Sequence, residues 1–452
     1  MITIKEIYNK ISYIVQGNNP ASLRARLIKG AAGSFLLQIL SVLFGLISSI
    51  LLAKFIGAHG YGIYTYALAW INLLMVIAAF GTNRLITREV AICQQDKQWG
   101  KLHGILRWAN QLALTSSIII AFIFAGIAFW LYLISYSEKA LALIVVSFLL
   151  PFLTLSTLRQ AALQGLHYVV VGLIPENLIR PLLLIIFITV SYFILADNYT
   201  GTVALANNIA AATIAFLFGS YLLYKKLPHE VISTNPSYDK SLWFKSALPF
   251  LLLSGTQAAN SQIGILILGS VSDASSVGIY SVALRLASLL AFFLIAANSI
   301  LAPNIATLYS VGNFSRLQSL TTKSAWAIML LTLPVAVFLI IFGKHILALF
   351  GTEFIAGYEL LVILLIGQVF NAAMGSVGLL LTMTRHEKEA MWGIIFAFIL
   401  NTIFSAILIP WLGALGAAIS SIANTFFWNI IFGIFVYKRT GIIPSIIGRI
   451  KA

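Results

Sequence analysis

The arginine at position 285 stands inside an apolar stretch of the sequence, SVALRLASLL. Its guanidinium group presents planar pairs of N–H donors that match carboxylate and phosphate oxygens. A charge in such surroundings is costly unless water or a partner reaches it. Two interpretations follow. Arg285 either faces a wet cavity and binds an anion there, or its side chain extends to the membrane–water interface on the outer side. The first is favoured.

A second charged pair lies in the stretch GLIPENLIRPLLL. Glu176 and Arg180 are four residues apart, which places them on one face of a helix. The pair therefore is either a self-neutralising ion pair with a structural role or a site whose cation also serves a ligand. Pro175 and Pro181 flank it and predict a kink in the helix.

Four further cations stand next to apolar runs. Arg84 and Arg88 share a helix face and are candidates to receive an anion at the inner mouth of a cavity, although charge placed against anionic lipid explains them more simply. Lys29 and Lys54 bracket the first apolar run. Lys29 is interpreted as a charge that sets the orientation of the first span. Lys54 is a candidate for binding a phosphate of a membrane lipid or of a ligand.

The elements that carry these residues are membrane spans. The 452 residues are 60% hydrophobic and 9% charged, whereas soluble domains carry about 25% charged residues. The mean hydropathy is +0.98. Apolar runs long enough for a hydrocarbon core of about 30 Å predict an all-α protein with about twelve transmembrane helices, at residues 30–53, 62–80, 109–134, 140–158, 173–196, 202–224, 247–270, 278–301, 325–343, 360–383, 391–410 and 413–437.

The basic residues give the orientation. The formal net charge is +15, but the charges lie in short loops, so we predict no nucleic-acid partner. With both termini in the cytoplasm, 23 of the 28 Lys and Arg residues fall on the inner side and 3 on the outer side, as the positive-inside rule requires. The predicted units are an N-terminal tail, a six-helix bundle, a linker, a second bundle and a C-terminal tail, at 1–29, 30–224, 225–246, 247–437 and 438–452.

The two predicted bundles contain an internal repeat. GAHGYGIYTYAL at 57–68 and DASSVGIYSVAL at 273–284 are identical at six of twelve positions with a constant offset of 216. Six helices in each half give both repeats the same orientation. The halves should therefore be related by a pseudo-two-fold axis along the membrane normal, with a transport path between them.

The sequence resembles the polysaccharide transporters of the multidrug/oligosaccharidyl-lipid/polysaccharide (MOP) flippase superfamily, in particular the O-antigen (Wzx-type) flippases. The resemblance rests on LLAKFIGAHGYGIYTYALAW and FGTNRLITREVA in the first half, and on LLLTMTRHEKEAMWG and NTIFSAILIPWLGALGAAISS in the second. Lys54 stands where the family usually has arginine.

This resemblance implies a flippase of the bacterial inner membrane that carries undecaprenyl-pyrophosphate-linked oligosaccharides between leaflets. Its partners would be this lipid-linked oligosaccharide and membrane lipids, with a polysaccharide polymerase and a chain-length regulator as candidates. The pyrophosphate would meet the cations described above. Asn260 and Gln262, in the polar stretch SGTQAANSQIG, are candidate sugar contacts, and hydrogen bonding between helices is the alternative.

Two other functions stay open at this stage. A cation-coupled multidrug exporter of the same superfamily would share the architecture, but it would depend on buried acids, and Glu176 is the only acid well inside a predicted span. A membrane-embedded polysaccharide polymerase or ligase would need a sizeable outer domain, which the short outer loops do not provide. No catalytic motif, cofactor site or metal site is predicted, and the choice between H⁺ and Na⁺ as a coupling ion is left open.

Overall fold

A computed structural model describes the backbone of residues 23–448 and the side chains of 33–196 and 198–448. The described chain is helical, without strands. Its α-helices, α1 to α17 in chain order, are Leu23–Ala78, Thr82–Gln95, Trp99–Ser135, Glu138–Ser147, Leu149–Gly165, Val169–Ile174, Arg180–Leu195, Gly201–Lys226, His229–Ser233, Lys240–Val271, Ala274–Ser288, Ala291–Ser310, Phe314–Ala348, Tyr358–Met374, Val377–Met383, Glu387–Leu412 and Ala414–Thr440.

The helices account for the twelve predicted spans. Ten helical segments of the described chain are long and apolar enough to cross a membrane, and α4 with α5, bent by 41°, makes an eleventh. The first segment runs for 46 residues from Gly33, about 69 Å at 1.5 Å per residue. It also bends at Gly57, where φ is 66°. This segment therefore crosses the membrane twice.

The region 81–108, predicted as a loop, is mostly helical. Helix α2 buries Leu85, Ile86, Val90 and Cys93 and exposes polar side chains on its other face. The buried and exposed residues alternate with the period of a helix, but the segment is too polar to be recognised as a membrane span. The following helix, α3, already begins at Trp99, ten residues before the predicted span.

Two predicted spans are interrupted inside the fold. A π-helix, Pro175–Ile179, separates α6 from α7. Gly375, with φ of 69°, separates α14 from α15. Hydropathy identifies a span but does not reveal such breaks, because the freed backbone groups are satisfied by neighbouring elements in the folded protein.

The two repeat segments pack against each other. A Cβ atom added to Gly62 would overlap the carbonyl oxygen of Ala274, and one added to Gly278 would overlap that of Ala58. The two contacts correspond at the offset of 216, so the interface is self-complementary about the pseudo-two-fold axis. Small residues four positions apart are what allow membrane helices to approach so closely.

The hydrophobic cores join the bundles at one end only. The largest core contains residues of both bundles, among them Leu52, Ile71 and Phe354, around the bend at Gly57. We call this the bend end. At the opposite end, which carries the 227–239 connection and is called the linker end, each bundle has its own core, and the start of α10 packs into that of the first bundle. One core therefore spans both bundles at the bend end, whereas two separate cores lie at the linker end.

Two charged side chains make hydrogen bonds between the bundles at the bend end. The Glu353 carboxylate accepts a hydrogen bond of 2.9 Å from the backbone N–H of Ala58. The Lys139 ammonium donates to the carbonyl oxygens of Gly269 and Ser272, at 3.0 and 2.9 Å, beside the last turn of α10. Each charge thus meets a helix end of favourable polarity. The Lys139 and Glu353 contacts reinforce the closure made by the repeat interface.

At the linker end, the start of α10 departs from the predicted division of the chain. Trp243 and Ala247 belong to the core of the first bundle, and the ring of Phe244 stacks on that of Phe80 with 4.8 Å between centroids. Helix α10 then continues to the second bundle, where Asn401 of α16 bonds to Asn260. Because one helix contacts both bundles, it can bend or pivot when they move.

Candidate functional site

A cavity lies between the two bundles and is lined by residues of both. Its volume is about 510 Å³. Residues of α1, the π-helix, α7 and α8 line it from the first bundle, and residues of α10 and α11 line it from the second. Three of the described lining residues are charged: Glu176, Arg180 and Arg285. The sequence-predicted cations of two distant segments therefore meet in one cavity.

Arg180 is held by a hydrogen-bonded network of the first bundle. Its guanidinium donates to the Glu176 carboxylate and to the Asn208 side-chain oxygen, each at 3.0 Å. Asn208 is buried and donates to the Tyr64 hydroxyl at 2.9 Å. The predicted i,i+4 ion pair is present. These hydrogen bonds fix the orientation of Arg180 at the cavity wall, and the bond between Asn208 and Tyr64 gives both buried polar groups a partner.

Arg285 enters the cavity from the second bundle, on α11. A Cβ built on Gly45 would lie only 2.6 Å from its Nη2 atom, so the absence of a side chain at Gly45 makes room for the guanidinium. Among the described residues, no carboxylate lies within 4.0 Å of Arg285. Its charge acts on Tyr64, as does that of Arg180. The cavity interpretation of Arg285 fits this placement, and its donors are available to a ligand.

The two predicted sugar contacts separate in the structure. Gln262 lines the cavity. Asn260 does not appear in its wall, and its side-chain oxygen accepts a hydrogen bond of 2.8 Å from Asn401. Residues two apart on a helix point about 200° apart, so the two side chains face different neighbours. Asn260 makes the interhelical hydrogen bond that was the alternative.

The other predicted cations lie away from the central cavity. Arg84 lines a separate cavity of about 240 Å³ with Thr157 and Gln160 of α5. Arg88 pairs with Glu89 at 2.8 Å. Lys54 is exposed and is not part of the cavity wall. The side chain of Lys29 lies outside the described residues.

The lining residues that were not singled out as site residues from the sequence include Tyr64, Asn72 and Asn208. The asparagines belong to a larger set of polar residues within spans, in which no pattern distinguishes cavity from helix interface. Tyr64 could have been found, because it lies in the GIY segment of the repeat. We interpreted that segment only as evidence for two related bundles, although it also contributes to the cavity wall.

The arrangement favours an anionic ligand. Two arginines from different bundles line the cavity, and the one carboxylate among the described lining residues is already paired. Guanidinium groups bind phosphate oxygens through paired hydrogen bonds. Among the described residues, no cluster of three His, Cys, Asp or Glu side chains has the arrangement of a metal site.

Solved structures of the same fold cover most of the chain. An inward-facing multidrug resistance MATE family transporter of the MOP superfamily covers 89% of this chain and 94% of its own, at 16% identity and a TM-score of 0.74. The lipid II flippase MurJ, in an inward closed conformation, covers 90% and 87%, at 15% identity and a TM-score of 0.71. An outward-facing MATE transporter covers 95% and 97%, at 14% identity and a TM-score of 0.60.

Two family profiles match the sequence. The family described as polysaccharide biosynthesis protein matches residues 27–309, and the MatE family matches residues 249–411. No curated protein sequence matches the chain. The first match covers more than half of the chain and includes the first bundle, the linker and Arg285. The protein thus belongs to the polysaccharide biosynthesis protein family, as the sequence predicted, and it shares its multi-span fold with the MATE transporters and the flippase MurJ.

Proposed function

We propose that this transporter is a flippase for undecaprenyl-pyrophosphate-linked oligosaccharides, such as the repeat units of O-antigen or a related surface polysaccharide. The observation that carries the proposal is the cavity between the bundles, which Arg180 lines from the first bundle and Arg285 from the second. A diphosphate needs paired donors when it leaves water. Two arginines on opposite bundles supply them at the point where the bundles must move apart.

The cavity's charge argues against a multidrug exporter as the function. A cationic drug would meet two arginines, and the Glu176 carboxylate is occupied by Arg180 at 3.0 Å. Like charges brought together in a partly desolvated site repel strongly. The MATE-like fold fits both functions, so the charge of the cavity is what favours the flippase. The structural neighbours are MATE transporters and the flippase MurJ, which disfavours the polymerase or ligase alternative.

Transport would proceed by alternating access. One core spans both bundles at the bend end and two separate cores lie at the linker end, so the next step is opening of the bend end. The polyprenyl tail need not enter the cavity, because each CH₂ group gains about 0.8 kcal/mol by staying in an apolar medium. We place its path beside α1 and α12, where the stacked rings of Phe35 and Phe292, 5.5 Å apart, would have to separate to let the tail pass.

The proposal is tested with purified protein in liposomes. We expect the protein to move a fluorescent polyprenyl-diphosphate oligosaccharide between leaflets, and the matching polyprenyl monophosphate sugar at least about tenfold more slowly, since the loss of a charged hydrogen bond costs about 1.5–3 kcal/mol. A lipophilic cation such as ethidium should be moved no faster than in empty liposomes. Drug transport without diphosphate-lipid transport would favour the exporter instead.

The orientation is also a proposal: the linker end faces the cytoplasm of a bacterial inner membrane, with both termini on that side. Asn235 of the linker and Asn198 at the bend end are exposed, so each can be replaced by cysteine in a Cys93→Ser background. In intact cells, an impermeant maleimide should label Asn198→Cys and leave Asn235→Cys unlabelled until the cells are opened. The reverse pattern would overturn the orientation. A polymerase and a chain-length regulator remain candidate partners.

A further inference from the structure

Two buried polar atoms of the first bundle lack a partner although their residues line one small cavity. They are Oε1 of Glu176 and Nη1 of Arg159. The cavity has a volume of about 10 Å³, which is room for about one water molecule. It lies between α5, the π-helix and α8. A carboxylate oxygen and a guanidinium N–H thus stand near each other without a direct bond.

Arg159 has no direct carboxylate partner. Its guanidinium carbon lies 3.4 Å from the centroid of the Phe216 ring, so stacking on an aromatic face holds the group in place. Among the described residues no carboxylate lies within 4.0 Å of it, but the charge of Glu176 acts on it. A partly buried cation that lacks a close anion is costly to keep.

Glu176 lines both cavities, whereas Arg180 lines only the central one and Arg159 only the small one. One of its carboxylate oxygens, Oε2, accepts a hydrogen bond from Arg180, and the other, Oε1, is buried without a partner. Glu176 sits in the π-helix Pro175–Ile179. Single π-helical turns are frequent at functional sites. The carboxylate therefore stands between two arginines, of which only one reaches the transport path.

We propose that Arg159 is a positioning residue for transport, which takes over the Glu176 carboxylate when Arg180 turns to the substrate. This inference rests on the proposed function. A diphosphate that draws Arg180 away leaves Glu176 as a buried carboxylate beside an anion, which is unfavourable without another cation. A small movement of Glu176 toward Arg159 restores a charged hydrogen bond. When the diphosphate leaves, Glu176 moves back and pairs with Arg180 again. The returning carboxylate competes with the diphosphate for Arg180 and so favours its release.

The test measures binding of geranylgeranyl diphosphate to the purified full-length protein in detergent. Arg159→Met keeps an apolar side chain over Phe216 and removes the charge, and we expect it to weaken binding about tenfold. Arg159→Lys, which keeps the charge, should lose less. The deciding variant is Arg159→Met with Glu176→Gln, because a neutral amide needs no cation. We expect this double variant to bind as tightly as Glu176→Gln alone. The difference between single and double variants isolates the coupling of the two residues.

The control variant is Arg316→Met, which removes an exposed arginine from the start of α13 and should leave binding unchanged. Binding by Arg159→Met equal to that of the unaltered protein would overturn the inference and leave the proposed function standing. Weak binding that Glu176→Gln fails to restore would overturn it too, because a purely structural Arg159 predicts that result. If the unaltered protein binds no diphosphate lipid, the proposed function itself fails, and the inference fails with it.

Discussion

Replacing Arg285 by alanine should stop transport while the protein still reaches the membrane at its normal level. Arg285 contributes the cation of the second bundle to the central cavity, and no described carboxylate neutralises it. Its loss leaves the diphosphate with the donors of one bundle only. A charged hydrogen bond is worth about 1.5–3 kcal/mol, so the initial flipping rate in liposomes should fall at least about tenfold. Cells that depend on this protein should lose their surface polysaccharide.

Two further variants separate charge from geometry at this position. Arg285→Lys should transport partly, because it keeps the charge but loses the paired donors. Gly45→Ala adds a Cβ where the Nη2 atom of Arg285 now lies. The fold should tolerate it, since only the end of a flexible side chain is displaced, but transport should slow. Arg316→Ala, on the exposed start of α13, is the matched control. Normal transport by Arg285→Ala would show that the cavity does not use this residue.

The sequence predicted the charged part of the site because lipid leaves few options for a charge. Arg180, Glu176 and Arg285 stand in apolar runs, and groups of this kind must find water or partners inside the bundle. The structure places all three at one cavity. Their distance from each other in the sequence did not prevent this prediction, because it was made from the apolar surroundings of each residue and from the two-bundle architecture. Whether they contact substrate stays a prediction.

The neutral part of the site was not predictable in the same way. An asparagine in a span is equally stable at a helix interface or in a wet cavity, as Asn260 and Asn208 illustrate. Asn260 bonds to Asn401 across a helix interface, whereas Asn208 orients Arg180 at the cavity. Only the rotation of each helix about its axis decides the outcome, and that rotation depends on packing with several neighbours at once. The hydropathy of a span carries no such information.

Arg159 was missed for a different reason. It follows an apolar run and precedes the connection to α6, where basic residues usually mark the inner side of the membrane. From its position in the sequence alone, this positive-inside rule explains Arg159 as a charge at the end of a span. In the structure, Arg159 is still inside α5, with Phe216 of α8 against its guanidinium. A span predicted to within a few residues cannot distinguish the last buried turn from the first exposed one.

A disulfide across the repeat interface should arrest the cycle in the present state. The Ser281 hydroxyl lies 3.2 Å from Oγ1 of Thr65, and the two residues correspond at the repeat offset of 216. Cysteine Sγ atoms at both positions would take the places of these two hydroxyl groups, so this is the pair to test for a bond, which needs Cβ atoms about 3.5–4.5 Å apart. In a Cys93→Ser background, mild oxidation should join the bundles at the bend end. Flipping should stop, and dithiothreitol should restore it.

The same cysteine pair reports how firmly the bend end is closed. Glu353→Gln weakens the contact to the Ala58 N–H from a charged to a neutral hydrogen bond. It should lower the rate of disulfide formation, because the bundles then spend more time apart at this end. Each single cysteine under the same oxidant is the control and should transport normally. If the oxidised double-cysteine protein still flips its substrate at the rate of the reduced protein, the bend end need not open. The substrate would then cross without alternation of the bundles, and the symmetric contact of Ala58, Gly62, Ala274 and Gly278 would be a fixed hinge instead of a gate.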